Sequence, residues 1–521
     1  MKLGVVFWAI VAGASVFAAP PETAPPRLPY EAKNFAEPQS RIDDFIFAKL
    51  TKEGLRAANP CSDAVFVRRI FIDLIGTLPT GKEVTDFFND PAADKRSKLI
   101  DQLFARDEFA DYWALRWADV LRVKAEFPIN LWPNPTQAYH RFLHDCVKAN
   151  LPVNRFARRL LTATGSNMRV PETNFFRAVQ NRDPRSLAAA VSLAFMGVRQ
   201  EAWPPAKLDS LAVFFSRLSY KPTSEWKEEI VIFDPSKPAP TAPVTMPDGQ
   251  VLTIPPTADP RAVFADWLLQ PGNPWFARSV ANRCWFWLLG RGLVNEPDDF
   301  RQDNPPSHPE LLAYLEKEFV SHGYDMQSLL RLIVNSRTYQ LSSLPAVADP
   351  RAIEWFGCYP LRRLDAEVLI DALCAITGTT ETYSSLIPEP FTFLPEGTRA
   401  IALPDGSISS SFLELFGRPP RDSGLAAERN PNPSAAQRLH FLNSSHVRTK
   451  IEKSPLLHTI LRSAAPGQAA NQLYLHILSR YPTDNEVRLL REMVTATPNR
   501  LNAFTDITWA LLNTTEFLCR H

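Results

Sequence analysis

The residues of this sequence best equipped for chemistry lie in EPDDFRQDNPPSHPELL, residues 296–312. The stretch contains carboxylates, a guanidinium and an imidazole, the groups that general acid–base or metal-assisted hydrolysis uses. Asp298, Asp299, Arg301 and His308 are therefore the candidate catalytic residues. Their spacing matches no compact metal-binding motif, so we assign no metal ligand and expect no cofactor.

A structural interpretation of the same stretch competes with the catalytic one, and we favour it. Ser307 and Glu310 have the spacing of a capping box, and Pro309 is tolerated in a first helical turn. Apolar residues then recur at helical intervals, so the pattern predicts a helix that begins after Ser307. Caps and turns collect aspartate and serine without any catalytic role. Catalysis stays open as the alternative.

Two aromatic segments, DYWALRWADVLRV (111–123) and FARSVANRCWFW (276–287), carry polar groups at helical spacing. Asp119 and Arg122 stand three residues apart, which favours an ion pair on a helix. Tryptophans at such spacing usually belong to a core, but Trp113, Trp117 or Trp203 would suit a sugar if exposed in a cleft. The candidate ligand-binding residues are Trp117, Asp119, Arg122, Arg278, Asn282 and Arg283.

The elements that position these residues are predicted to be helices. Asp or Asn before Pro is typical of a helix start, because the side chain caps the helix while Pro loses no hydrogen bond there. Five such starts occur, at Asp183, Asp259, Asn273, Asp349 and Asn432. Two further segments have capping-box spacing, one at Thr80 and Glu83 and the other at Thr483 and Glu486.

Strand signals are confined to residues 228–255, where the Asp248-Gly249 pair is typical of a hairpin turn. The predicted fold class is mainly α, with two helical domains and a small β-hairpin insertion between them. The predicted limits are 1–18 for a signal peptide, 19–40 for a Pro-rich linker, 41–220 for the first helical domain, 221–258 for the insertion and 259–521 for the second helical domain.

The beginning of the sequence predicts export. Lys2 precedes an apolar stretch, and Val16 and Ala18 satisfy the small-residue rule for cleavage after Ala18. A permanent N-terminal anchor is the less favoured alternative. No later segment is apolar for long enough to span a bilayer, so no stable membrane span is expected after cleavage. The predicted location is periplasmic or secreted.

Charge and cysteine spacing exclude several function classes. The 57 Lys and Arg residues nearly balance 56 Asp and Glu residues, so nothing favours a nucleic-acid partner. Six cysteines are present, but none are spaced as C-x-x-C, so covalent haem and zinc-ribbon motifs are absent. The common phosphate-binding, dinucleotide-binding and nucleophile-elbow motifs are absent too.

Several long segments resemble two known families. RRIFIDLIGTLPTGKEV and WALRWADVLR are similar to domain-of-unknown-function family 1549. NPWFARSVANRCWFWLLGRGLVNEPDDFRQDNPPSHPELL and FGRPPRDSG are similar to family 1553. The resemblance covers nearly all of the mature chain and implies an exported protein of the type found in planctomycetes and verrucomicrobia. Relatives often carry cytochrome c-like modules, and the family has no established activity.

The chain departs from this family at two places. The resemblance implies a C-x-x-C-H segment after residue 199 and a C-E-C segment before Glu428, but the chain has QEAWPPAKLDSLAVFF (200–215) and GLAAER (424–429). Leu425 and Ala427 stand where relatives have thiols. Joint loss of both sites suggests that they cooperate in a metal or haem centre that this chain has lost as a unit. We expect no haem here.

Three functions follow as hypotheses. The preferred one is a non-catalytic binding or scaffold protein without the thiol or haem centre, with other exported proteins or polysaccharide as partners. The first alternative is a metal-dependent or acid–base hydrolase of polysaccharide-related substrates. The second alternative is a carbohydrate-binding protein. Whether the chain is an enzyme is left open by the sequence.

Overall fold

Most of the chain is helical, as the sequence predicts. The computed structural model describes residues 30–32 and 37–521, and the predicted signal peptide lies outside them. The helices of the first half are α1 (Arg41–Lys52), α2 (Asp63–Ile75), α3 (Gly81–Asn89), α4 (Lys95–Phe104), α5 (Asp107–Val120), α6 (Pro133–Lys148), α7 (Val153–Thr162), α8 (Asn174–Arg177), α9 (Pro184–Val191) and α10 (Pro205–Ala212).

The helices of the second half follow the predicted insertion. They are α11 (Pro260–Leu269), α12 (Phe276–Leu289), α13 (Pro309–Ser321), α14 (Met326–Val334), α15 (Pro350–Glu354), α16 (Ala366–Thr377), α17 (Ser411–Leu415), α18 (Ala435–Asn443), α19 (Ser445–Glu452), α20 (Pro455–Ser463), α21 (Pro466–Leu478), α22 (Asp484–Ala496), α23 (Arg500–Leu512) and α24 (Thr515–Leu518). None of the helices in the described residues combines the length and apolar composition needed to cross a membrane.

The sheets of the described chain are small. Strands β1 (Gly165–Ser166), β2 (Leu218–Pro222) and β3 (Glu229–Phe233) form an antiparallel sheet in the order β1-β3-β2. β4 (Val244–Thr245) and β5 (Val251–Leu252) form the predicted hairpin, with Gly249 at positive φ in its turn. β6 (Arg362–Arg363) pairs with β7 (Cys519–Arg520), which brings the last residues of the sequence to the beginning of α16.

Local capping chemistry explains many helix starts. Asp183, Asp259 and Asp349 each accept hydrogen bonds from backbone N–H groups of the helix that follows, as predicted. The two predicted capping boxes at the starts of α3 and α22 are also present. The remaining predicted starts differ in position or chemistry.

Three predicted starts are displaced or differently capped. Asn273 accepts from Trp275 and Phe276, but α12 begins only at Phe276. The helix predicted at Asn432 begins at Ala435, because Ser434 caps it instead. The capping box predicted at Ser307 is not formed: α13 begins at Pro309, with His308 at its N-cap position and no side-chain cap bond.

Both helical segments contribute to a common hydrophobic core. One cluster of buried side chains runs from Ile42 to Phe517 and includes the fully buried Trp113 and Trp285. Arg520 donates to Asp73 of α2 over 3.0 Å, and Arg69 donates to the carbonyl of His521 over 2.8 Å. The first and last parts of the described chain are therefore packed together.

Candidate functional site

A cavity of about 680 Å³ lies where both helical segments meet, between the ends of α5 and α12, the β6–β7 pair and the loop at 416–434. Seven arginines and three aspartates line it, with no lysine or glutamate. We call it the arginine cavity; its arginines are Arg116, Arg283, Arg362, Arg363, Arg429, Arg438 and Arg520. Cationic side chains therefore outnumber anionic ones in this lining.

The short β6–β7 pair positions much of the lining. Arg362 stands opposite Arg520 and Arg363 opposite Cys519 in the antiparallel register. Gly290 ends α12 with φ +72°, and a Cβ there would lie 2.2 Å from the side chain of Arg362. A residue other than glycine would be strained and would displace that arginine.

Carboxylates neutralise part of the arginine charge. Asp365 accepts from Arg116 over 2.6 Å and also from Arg520. Burial opposes its ionisation, but the neighbouring arginines outweigh burial and hold the pKa of Asp365 well below its usual range. Arg429 donates to Asp119 and to Glu367, each over 2.7 Å. These arginines therefore have anionic partners within the protein.

Two cavity arginines have only carbonyl oxygens as hydrogen-bond partners and form no ion pair within 4 Å among the described residues. Arg283, 3% exposed, donates to the carbonyls of Leu193 and Ala194 in a π-helical turn. Arg363 donates through Nη2 to the carbonyls of Phe416 and Asn430, each over 2.7 Å. Burial lowers the pKa of Arg283 to about 10 and also lowers the pKa of Arg363. Both guanidinium charges lack a hydrogen-bonded carboxylate.

Arg363 is a cavity arginine with unused hydrogen-bond donors. Its Nε and Nη1 are buried and have no hydrogen-bond partner, while its guanidinium lies 5.5 Å from the Phe416 ring centre. Buried polar groups without partners are uncommon in folded proteins and call for an explanation. An anion in the cavity would supply the missing acceptor.

Asp298 also lines the cavity, but both its oxygens are occupied. Oδ1 accepts from Arg199 over 2.6 Å, and Oδ2 accepts from the N–H of Ala426 over 2.8 Å. Asp298 thus connects Arg199, just before residues 200–215, with Ala426 of residues 424–429. Asp298 acts here as a brace between the two segments.

The other candidate catalytic residues do not join Asp298 in the cavity lining. Asp299 and Arg301 form a local ion pair of 3.3 Å. His308 is 4% exposed and packs against the rings of Trp355 and Phe356. Burial lowers the pKa of His308 to about 4, so its imidazole is neutral at neutral pH. The four side chains are therefore not assembled into one catalytic cluster.

Of the six candidate ligand-binding residues, Asp119 and Arg283 line the cavity and the other four do not. Trp117 is buried behind the wall, 5.6 Å from the ring of Trp287. Asn282 is fully buried and exchanges two hydrogen bonds with the backbone of Val294. These two side chains stabilise the wall rather than face a ligand.

Arg122 and Arg278 also lie outside the lining. Arg122 has φ +57° beyond the end of α5, and the predicted ion pair with Asp119 is absent because Arg421 and Arg429 take that carboxylate. Burial lowers the pKa of Arg122 to about 10. Arg278 forms a 3.0 Å ion pair with Glu316.

Sequence reasoning missed most of the cavity arginines. Arg116, the adjacent pair Arg362 and Arg363, and Arg520 come from three segments far apart in sequence. The dense LRRLDAE segment at 361–367 was the available signal, since paired arginines beside an aspartate favour an ion-pair network. Their convergence depends on the tertiary fold.

Comparison with known families agrees with the sequence resemblance. Residues 41–201 match the family described as PSCyt2, protein of unknown function (DUF1549). Residues 260–494 match the family described as PSD1, protein of unknown function (DUF1553). The chain therefore contains both of these domains. No curated protein and no solved structure is significantly similar to it.

Proposed function

We propose that this protein binds an anionic ligand in the arginine cavity and does not transform it. On this proposal it is a non-catalytic, exported member of its family without the thiol or haem centre. The observation that carries the proposal is the pair Arg283 and Arg363, whose buried guanidinium groups have only carbonyl partners. A bound anion would supply the hydrogen-bonded negative charge that these two guanidinium groups lack.

The physical reason for anion binding is the cost of burying charge. An isolated buried cation is strongly unfavourable, and hydrogen bonds to neutral carbonyls recover only part of that cost. The planar guanidinium group pairs well with the oxygens of carboxylate, sulfate or phosphate groups. Arg363 retains two donors for this purpose.

The hydrolase alternative has weaker support from the geometry. A general base needs a free carboxylate or imidazole within reach of the reacting atom. Both oxygens of Asp298 are engaged, as are those of Asp119, and His308 does not line the cavity. Turnover of a polysaccharide-derived substrate that is abolished by Asp298→Asn, with folding retained, would favour the hydrolase over the binding protein.

The test is a titration of the purified protein with sulfate, exchanged against chloride at constant ionic strength. Occupancy can be measured through Cys519, a half-buried thiol in the cavity lining, because a bound anion should slow its alkylation by iodoacetamide. Cys374, half-buried outside the lining, is the internal reference. Saturable protection of Cys519 alone is expected; equal rates at all sulfate concentrations would refute the proposal.

A second candidate function, carbohydrate binding, is favoured by a different surface. Trp132, Trp226 and Phe391 form an aromatic loop surface where three loops meet. Trp226 is 69% exposed and its ring centre lies 6.3 Å from that of Trp132. Exposed aromatic faces of this kind suit the apolar face of a sugar ring.

This candidate uses tryptophans other than those considered in the sequence. Trp113 and Trp117 are almost fully buried, and Trp203 packs edge-on against Trp275. The test is co-sedimentation with insoluble polysaccharides. Trp226→Ala should abolish binding while Trp509→Ala, on α23, leaves it unchanged. Wild-type protein that stays in the supernatant with a broad panel of polysaccharides would eliminate the candidate.

A further inference from the structure

We propose that the ligand of the arginine cavity is an amphiphilic anion, with one acidic head group attached to an apolar chain. This inference rests on the proposed function and specifies the class of ligand. It comes from the distribution of charge and apolar surface between the interior and the mouth of the cavity.

Three buried arginines place charge in the interior, and Arg438 is an exposed arginine of the lining. Arg116, Arg283 and Arg520 are 6%, 3% and 2% exposed, so their guanidinium groups lie deep in the protein. The lining leucines Leu361 and Leu442 are 55% and 45% exposed, which places them at the mouth. A ligand that satisfies both regions must have its anionic group inside and its apolar part toward solvent.

The walls between these regions are largely apolar. They include the side chains of Phe286, Trp287, Phe416, Leu425, Phe441 and Leu518. Apolar surface in contact with water is unfavourable, and an apolar ligand chain that displaces this water would be stabilised in proportion to the area buried. An inorganic anion alone would leave these walls hydrated.

Three polar side chains of the lining are already used by hydrogen bonds within the protein. Ser434 and Gln437 are occupied by the capping box that begins α18, and the Gln437 amide also donates to Leu415. The amide of Asn513 donates to the carbonyls of Phe441 and Trp509. With these groups used internally, the outer cavity favours an apolar chain over a polyhydroxylated one.

The volume of the arginine cavity is also larger than a small inorganic anion would fill. Cavities of roughly 300–1,000 Å³ hold drug-sized molecules, and the arginine cavity has about 680 Å³. The space is sufficient for a head group with a chain of several carbons. Long-chain carboxylates, alkyl sulfates and alkyl phosphates share this chemistry.

The experiment is a titration with linear alkanesulfonates from methane- to octanesulfonate, all below micelle-forming concentrations, followed by calorimetry and by Cys519 alkylation. Burial of one methylene is worth about fourfold in affinity, so affinity should rise by about fourfold per added carbon until the chain reaches the mouth. 1-Octanol, which has the chain without the charge, should bind much more weakly than octanesulfonate.

Two rim variants supply a matched pair. Leu442→Ser replaces an exposed residue of the lining, and Leu439→Ser replaces a similarly exposed residue of the same helix α18 outside the lining. Leu442→Ser should weaken octanesulfonate binding several-fold, while Leu439→Ser should alter neither octanesulfonate nor sulfate binding. Their exposure makes loss of folding a negligible concern, which circular dichroism verifies.

The possible outcomes separate this inference from the proposed function. Saturable sulfate binding with no gain along the alkanesulfonate series would overturn the amphiphile and leave anion binding standing. No binding of sulfate or of any alkanesulfonate would overturn both. Equal binding of octanol and octanesulfonate would show an apolar site and would also overturn the amphiphilic anion.

Discussion

Replacing Arg363 by glutamine removes a cavity cation with two buried nitrogens that have no hydrogen-bond partner. In the native protein, Nη2 donates hydrogen bonds to the carbonyls of Phe416 and Asn430, while Nε and Nη1 have no hydrogen-bond partner. Glutamine retains two amide donors, but it has no charge and a shorter reach. The substitution therefore tests the charge and the guanidinium geometry together.

The expected loss of anion affinity follows from the strength of a hydrogen bond between charged groups. Such a bond contributes about 1.5–3 kcal/mol, and each 1.4 kcal/mol corresponds to about a tenfold change in affinity. Arg363→Gln should therefore weaken sulfate and octanesulfonate binding by about 10- to 150-fold. The substitution loses the two bonds to Phe416 and Asn430 but also removes the cost of burying the charge, so urea unfolding serves to verify that the variant is folded.

Binding is measured by calorimetry at constant ionic strength and unfolding by urea titration. Arg363→Lys should fall between wild type and Arg363→Gln, because it keeps the charge without the planar fork. Arg278→Gln is the matched control, since it removes an arginine that is paired with Glu316 outside the cavity. The reasoning is refuted if Arg363→Gln binds sulfate as tightly as wild type, or if Arg278→Gln weakens binding equally.

Three further predictions concern stability and processing. Asp365→Asn leaves Arg116 and Arg520 without their shared carboxylate and should lower the unfolding free energy by about 3–5 kcal/mol; a loss below about 1 kcal/mol in urea unfolding would contradict this. Burial raises the pKa of Asp371 to about 7 although it accepts backbone hydrogen bonds. The folded state then binds this proton more tightly, so its stabilisation is full below about pH 4 and is lost as pH rises toward 7. The unfolding free energy of Asp371→Asn relative to wild type should therefore rise over that range, and a constant difference would oppose the assignment. Export should remove residues 1–18, so mass spectrometry of the secreted or periplasmic protein should find Ala19 as its first residue, and an intact N-terminus would contradict cleavage.

Local chemistry made much of the helical framework predictable. The Asp-Pro starts at Asp183, Asp259 and Asp349 and the boxes at Thr80 and Thr483 depend on neighbouring residues only, and all five form. The box expected at Ser307 does not form. Its neighbour His308 is buried between aromatic rings from a distant segment, and the chain enters α13 along a different path. Tertiary packing overrode the local preference there.

Much less of the candidate site than of the helical framework could be predicted from the sequence. Asp119, Arg283 and Asp298 are in the cavity lining, but the assumed partner of Asp119 is displaced by arginines some 300 residues away, with separations of 302 and 310 positions. Short-range spacing cannot anticipate such pairs. Trp117 was predicted to bind a ligand but is buried behind the cavity wall. An amphipathic pattern cannot distinguish a wall residue from the core side chain behind it.

The bridge formed by Arg116, Asp365 and Arg520 crosses between the two domains of the chain. Arg116 lies in residues 41–201 and Asp365 in residues 260–494. Separate expression would leave Arg116 of the first piece without Asp365, and each piece would keep only part of the cavity lining. We therefore expect each piece to depend on the other during biosynthesis. In a fragment complementation assay, ligand binding should return only when both pieces are present.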